Sequence, residues 1–331
     1  MDNLTHTAIG LFLSRAGLNR WTPLGAPILM LASNAPDIDI VSAAGGSLDY
    51  LHFHRHLTHS LIAMPVMALV PVILVRLISR KPVNWLGAWA ASMIAVASHL
   101  LLDFTNSYGI RLLLPFSSRW LRLDITNVVD LWIWAALLLC VVGPFIGRLV
   151  GSEIGSGRAK LTHHGRGAAW VALTFVLLYN CGRGVLHARA VATAEARIYQ
   201  GVSPLRVGAM PNATNPFRWQ AIVETSDFYA VQEIQLGAEF DPTRASIYHK
   251  PDPDPAIEIA RRQRTFEEFL RFSQFPLWRI SPASEPEDAK VVEVIDLRFG
   301  TPLAPGFMAG AVIGPREEVI DTFFRFGRFK R

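Results

Sequence analysis

Residues 85–107, WLGAWAASMIAVASHLLLDFTNS, carry the decision about fold. From Trp85 to Ser98 there is no charged side chain, and the stretch running on to Asp103 approaches the roughly 20 residues with which a helix crosses the hydrocarbon of a bilayer. It closes on His99 and Asp103. These are four residues apart, so a helix puts both on one face. An ionisable pair near the end of a membrane helix is costly unless it is paired or used. Either the two share a cation or they hydrogen-bond each other to hold helices together.

Working outward, three more stretches have similar length and apolarity: residues 60–79, 128–147 and 167–186. Residues 21–35 are also apolar but short, and with the helical-looking stretch 5–16 they form either a tilted or re-entrant hairpin or a pair of surface helices. The expected fold is an all-α membrane domain over residues 1–190, with four transmembrane helices plus a short N-terminal helical hairpin. A small C-terminal α+β extramembrane domain follows over 204–331. Alternation in 221–236 and 291–298 predicts strands there, and 255–272 predicts a helix with one charged face.

The chain of 331 residues is 51% hydrophobic and only 18% charged, with its apolar residues concentrated before about Ala188. A formal net charge of +5 raises nucleic acid as a partner, but the basic residues are scattered and form no recognised binding signature, so nucleic acid is an unlikely partner and anionic lipid a better one. Cys140 and Cys181 fall inside predicted helices and read as packing residues. No cleavable signal peptide is expected, because Asp2 and His6 stand where a basic leader would. The basic loops holding Arg76, Arg80 and Lys81, and Arg148, Arg158, Lys160 and Arg166, favour the cytoplasmic side of an inner membrane. The ends of the spans that carry His54, His59, His99, Asp103 and Asp130 then share the outer face, with the C-terminal domain. Asp37, Asp39 and His6 join them if the hairpin runs outward.

Leu51-His-Phe-His-Arg-His-Leu-Thr-His-Ser60 holds four histidines within eight residues, 52–59. Histidine richness alone is a weak metal signal, and a polar interfacial loop before a membrane helix is the bland alternative. Asn34-Ala-Pro-Asp-Ile-Asp39 places two carboxylates two apart after an apolar segment. They supply oxygens to cations, or one ligates while the other orients a histidine, or both belong to a polar turn.

Taken in order, His6-Thr7-x-x-Gly10, Pro36-Asp37-x-Asp39, His54-Arg55-x-x-Thr58-His59-Ser60, and His99-x-x-x-Asp103 with Thr105 resemble the YdjM-like family of membrane-bound metal-dependent hydrolases. Asp130 is similar to a later aspartate of that family. His56 stands where the family more often has a small residue. The resemblance spans about residues 1–190, and the helical setting is loosely similar to zinc-dependent phospholipase C and related nucleases. It implies a divalent-metal hydrolase held in the membrane.

On this basis His6, Asp37, His54, His59, His99, Asp103 and Asp130 are the candidate metal ligands. One or two zinc ions suit the imidazole share, with manganese or another transition ion as the alternative. Arg55 is the candidate for gripping phosphate oxygens, His56 for protonating a leaving group, and Asp39 for orienting a ligand. The expected reaction is hydrolysis of a phosphate ester, in a lipid or lipid-linked substrate. A transporter and a metal-tied structural scaffold are the rivals. The near-absence of charge from the helix middles favours a site at one end over a path through the membrane.

Overall fold

The computed structural model describes residues 1–153 and 165–327. Contacts divide the chain into two units. The first comprises Met1–Asp39, Arg55–Val185 and Ala213–Pro216, and the second Ile40–His54, Leu186–Asn212 and Phe217–Arg331. Arg158 and Lys160, used above to orient the chain, lie outside the described residues.

The first unit is helical. α1 (Asn3–Ala16) begins where the Asp2 carboxylate accepts hydrogen bonds from the Leu4 and Thr5 amides, an N-cap. α1 packs tightly against α2 (Gly25–Ala32) because Gly10 faces it. A Cβ at Gly10 would stand 2.5 Å from the Leu29 carbonyl oxygen and 2.7 Å from Ser33 Oγ. The Asn34 side chain then ties the two helices, donating to Thr7 Oγ1 and the Met30 carbonyl at 2.9 and 2.8 Å. α3 (Ser47–Phe53) belongs to the second unit, and α4 (Met64–Ser79) and α5 (Trp85–Thr105) follow in the first. Leu29, Ala32, Ala68, Ala91, Ala95, Val96 and Leu100 bury the faces of α2, α4 and α5 in one cluster. α6 (Leu131–Glu153) and α7 (Arg166–Glu195) pack with α1 through Phe12, Ile133, Leu137, Ala169 and Ala172.

Among the described residues two helices, α5 and α7, are long and apolar enough to cross a membrane, and up to three if the bent pair ending in α4 counts as one span. The four spans predicted from hydropathy are therefore not all found. α4 has 16 residues because Ser60 is spent on a turn, its hydroxyl donating to the Leu57 carbonyl, and the helix begins only around Pro65. The apolar part of α6, Leu131–Gly147, is also short. Outward faces nevertheless remain apolar: Val66, Leu69, Val70, Ile73, Leu77 and Ile78 of α4 are exposed, as suits a helix meeting lipid.

The second unit is rich in β-structure. β1 (Arg206–Pro211), β2 (Arg218–Glu224), β3 (Phe228–Gln235) and β4 (Ser246–His249) form an antiparallel meander in that order. A second sheet contains β5 (Pro276–Pro282) and β6 (Lys290–Asp296). After the short pair β7 (Gly300–Thr301) and β8 (Ala304–Pro305), it adds β9 (Phe307–Ile313) and β10 (Val319–Phe326), in the order β10-β9-β6-β5. Met210, Ile222 and Tyr229 of the first sheet pack with Phe275, Leu277, Ile295 and Met308, a core built from alternating strand residues. The stretch predicted as one helix is two, α8 (Pro255–Arg261) and α9 (Arg264–Phe272), because Gln263 adopts extended backbone and starts a new helix. Composition alone assigns residues 40–54 to the membrane domain, whereas here they pack with the sheets and α9.

Candidate metal centre

His59, His99, Asp37 and Asp103 converge, with one donor atom from each lying within 4.8 Å of the others. α5 supplies two of them from one face, its His99 and Asp103 both fully buried. Asp37 comes from the 3₁₀ segment Ala35–Gly45 that follows α2. His59 comes from the 3₁₀ turn Leu57–His59.

The protonation pattern follows from the partners. His99 Nδ1 lies 2.7 Å from the Ser33 carbonyl oxygen, which only accepts, so this nitrogen carries the hydrogen and donates. His59 Nδ1 lies 3.1 Å from Thr58 Oγ1 and 3.2 Å from Asp39 Oδ2; with the Thr58 hydroxyl donating to Asp39, both neighbours are left to accept, and this nitrogen carries the hydrogen. In the neutral rings both Nε2 atoms are then bare lone pairs, yet they face each other at 3.2 Å. The Nε2 of His59 is 3.4 Å from Asp37 Oδ1 and 3.5 Å from Asp103 Oδ2. That of His99 is 3.6 and 3.5 Å from the same two oxygens. Four acceptors thus crowd one buried point with no hydrogen among them.

These separations suit a metal ion. Bonds of about 2.0–2.2 Å to nitrogen and oxygen give a tetrahedron whose edges are about 3.3–3.6 Å. The five donor separations just given run from 3.2 to 3.6 Å. Asp37 and Asp103 bring two carboxylates to the cluster, and the Arg55 guanidinium lies against Asp103 with its Nε 3.2 Å from Oδ2. The Met1 ammonium also lies against Asp103.

The remaining predicted residues divide. His6 is fully buried beside the cluster, stacked on His99 with ring centroids 3.8 Å apart and its Nε2 3.3 Å from Asp103 Oδ1. Asp39 supports the donors from behind: its Oδ2 accepts from His59 Nδ1, from Thr58 Oγ1 at 3.2 Å and from the Arg55 amide at 2.7 Å. Arg55 turns inward, which differs from a phosphate grip. It is buried, with Nε 3.2 Å from Asp103 Oδ2, Nη1 donating to Asn106 Oδ1 and the Gly109 carbonyl at 3.1 and 3.0 Å, and its guanidinium over the Tyr108 ring. His54 stacks on Tyr50 within the second unit, and His56 precedes the Leu57–His59 turn; neither is one of the four donors. Asp130 is not brought in either. Its Oδ1 caps α6 through the Trp132 and Ile133 amides, and its Oδ2 accepts from the Tyr179 hydroxyl at 3.2 Å.

Two supports escape sequence reasoning. The Ser33 carbonyl is backbone and leaves no side-chain signal. Asn106 is visible as the polar residue ending α5, but its job is found only in three dimensions. Its Oδ1 accepts from Arg55 and from the Tyr108 and Gly109 amides.

Residues 1–190, which hold every one of these groups, match the YdjM inner membrane protein family. The chain belongs to that family. Along most of its length it is also similar to the uncharacterized protein YfhP of Bacillus subtilis (strain 168), with 25% identity over 312 residues, or 90% of this chain and 87% of that one. No solved structure matches it. Membership makes this an inner membrane protein family chain with a buried Asp/His/His/Asp group able to bind a divalent metal.

Proposed function

We propose that this YdjM-family chain is a divalent-metal-dependent hydrolase of the inner membrane, acting on a phosphate ester of a lipid or lipid-linked substrate. The observation that carries it is the pair of Nε2 lone pairs 3.2 Å apart between two carboxylates. Zinc is the ion the donor set suits best, with manganese as the alternative. Asp37, His59, His99 and Asp103 hold it, and His6, stacked on His99 and beside the second Asp103 oxygen, is placed to serve a second ion. A divalent ion there supplies Lewis acidity towards water and phosphoryl oxygens. The protein's own part is orientation. Asp39 and the Ser33 carbonyl fix the tautomers of His59 and His99, and Arg55 holds Asp103 in place. Among the four donors Asp37 alone is partly exposed, so a substrate reaches the site from its side. Orientation of the site and of the C-terminal domain towards the outer face, with several crossings, belongs to the same proposal and rests on the distribution of basic loops.

Four protein donors are also what a closed structural zinc site uses, so metal content and catalysis have to be read together. The test is metal analysis of the detergent-solubilised chain beside a screen of phosphate monoesters, diesters and phospholipids. Stoichiometric metal and hydrolysis, both lost in His99→Ala and Asp103→Ala with the fold retained, is the expected result. Metal without turnover makes the centre structural, and no metal in the intact chain removes the proposal.

A further inference from the structure

The loop that leaves α5, residues 106–127, folds back on the metal centre and sends a tip outward. Its base is fixed. The Leu123 and Ile125 amides donate to the Phe104 and Thr105 carbonyls at 2.9 Å each, and Ile110 and Leu121 exchange backbone hydrogen bonds of 2.9 and 2.8 Å. The base is also tied to Arg55, the support of Asp103: the Gly109 carbonyl accepts from Arg55 Nη1, and the Arg111 amide donates to the Arg55 carbonyl at 3.3 Å. All of these residues lie in the first unit.

Beyond the base the apolar side chains divide. Ile110, Leu114 and Trp120 are buried, Trp120 under the Arg111 guanidinium and edge to face with Tyr108. Leu113 and Phe116 are exposed, Phe116 to 87%, at a turn in which the Leu113 carbonyl accepts from the Phe116 and Ser117 amides at 3.0 and 3.1 Å. Beside the loop stand exposed Leu61 and Ile62, because the Leu61 amide donates to the Leu112 carbonyl at 3.0 Å. From there no charge interrupts the chain as far as Val75, and the apolar surface runs on into Val66, Leu69, Val70 and Ile73 of the outward face of α4. Leu101, between the two ligands of α5, is exposed as well. A large exposed apolar surface marks an interaction, and continuity with the lipid-facing side of α4 names the partner as lipid. Charge agrees. Residues 104–127 carry Arg111, Arg119 and Arg122 against Asp124 alone, Asp124 is buried against Arg122, and Arg119 at the tip is exposed, which suits anionic headgroups.

We propose that residues 113–119 are an interfacial anchor. Phe116 and Leu113 dip into the leaflet at the His99 end of α5, Arg119 pairs with headgroup phosphates, and the tied base keeps the metal centre at the level where the phosphate esters of lipids lie. What that level means for catalysis rests on the hydrolase reading above; insertion of the tip does not.

The test places a nitroxide label on Phe116→Cys and, separately, Leu113→Cys, in the full chain with Cys140→Ser and Cys181→Ser, one chain per nanodisc of phosphatidylethanolamine and phosphatidylglycerol. Power saturation then compares collisions with oxygen, which concentrates in lipid, and with a water-soluble nickel chelate. Val70→Cys, on the outward face of α4, is the lipid reference. At both tip positions oxygen should exceed nickel severalfold, corresponding to a depth of about 5–10 Å into the boundary between headgroups and chains. Adding Arg119→Glu should move the label towards water, and an unchanged depth rejects the headgroup pairing. Nickel in excess at both positions means a tip in water, and few collisions with either reagent mean a tip covered by protein; each overturns the anchor. Metal content is measured on the same samples. An inserted tip on a chain that binds no zinc keeps the anchor and rejects the metal site, whereas a wet tip on a zinc-loaded chain does the reverse.

Discussion

Replacing Asp39 by asparagine separates support of the donors from donation itself. Asp39 Oδ2 receives three donors, the Arg55 amide at 2.7 Å and Thr58 Oγ1 and His59 Nδ1 at 3.2 Å each. Asparagine keeps the shape. With its oxygen in that position it still accepts, but without charge. A hydrogen bond to an ionised group contributes about 1.5–3 kcal/mol and one between neutral groups about 0.5–1.5, so roughly 1–1.5 kcal/mol is lost. Flipped, its NH2 meets three donors and the imidazole loses its anchor, which approaches the 10–100-fold loss of affinity typical of a support behind a ligand.

Asp39→Asn should therefore weaken zinc binding by about 10-fold and by no more than about 100-fold. His59→Ala, which removes a donor, should lose more. The assay is competition with a chromophoric chelator in nanodiscs, at one pH and with the fold checked by amide exchange. An unchanged dissociation constant would show that His59 does not need its carboxylate. A loss equal to that of His59→Ala would make Asp39 a ligand and refute the division of roles drawn from the 3.2 Å contact at Nδ1.

Gly10→Ala puts a methyl group 2.5 Å from the Leu29 carbonyl oxygen, so α1 must move off α2; a loss of about 1–3 kcal/mol is expected, with weaker metal binding because the Ser33 carbonyl that orients His99 moves too. In the C-terminal domain, fully buried Asp296 is pushed up by burial but held lower overall by the Arg298 charge and hydrogen bonds, including one of 2.7 Å. A depressed carboxyl stabilises the fold above its unfolded value, about 3.9, and that contribution is lost as pH falls through the folded one. Asp296→Asn should cost about 3 kcal/mol at neutral pH by stranding Arg298, and should remove this part of the acid sensitivity; denaturant melts at pH 7 and pH 3 check both. Leu303 is 91% exposed, so Leu303→Cys in a Cys140→Ser, Cys181→Ser background should react with a membrane-impermeant maleimide on intact spheroplasts. Labelling only after lysis would reverse the proposed orientation.

Some of the centre is legible in the sequence because membrane context makes charge expensive. His99 and Asp103 stand out inside WLGAWAASMIAVASHLLLD for that reason, and helical spacing alone puts them on one face. The roles of the other residues are not legible, since they depend on backbone direction. Asp37 and Asp39 look alike in sequence, yet the 3₁₀ segment aims one at both imidazole Nε2 atoms and the other at the back of His59. Arg55 beside a histidine cluster suggests an anion grip, but its left-handed backbone turns it inward to Asp103 and Asn106. Asp130 has the right chemistry and is spent on capping α6.

The division of the chain between its two units explains why the histidine-rich segment does not act as one cluster. In sequence His52, His54, His56 and His59 form one cluster, and alternation or helical spacing would each gather some of them at a metal. In the structure the break between the two units falls between His54 and Arg55. His52 goes to Glu268 and His54 to Tyr50, while His59 alone is one of the four donors. The spacing therefore does not encode one metal cluster: His52 pairs with Glu268 within the second unit, and His59, beyond the break, is one of the four donors. The cost of that arrangement is visible at Arg55, the residue at the junction, which is held in a left-handed conformation by the hydrogen bonds that also fix the donors.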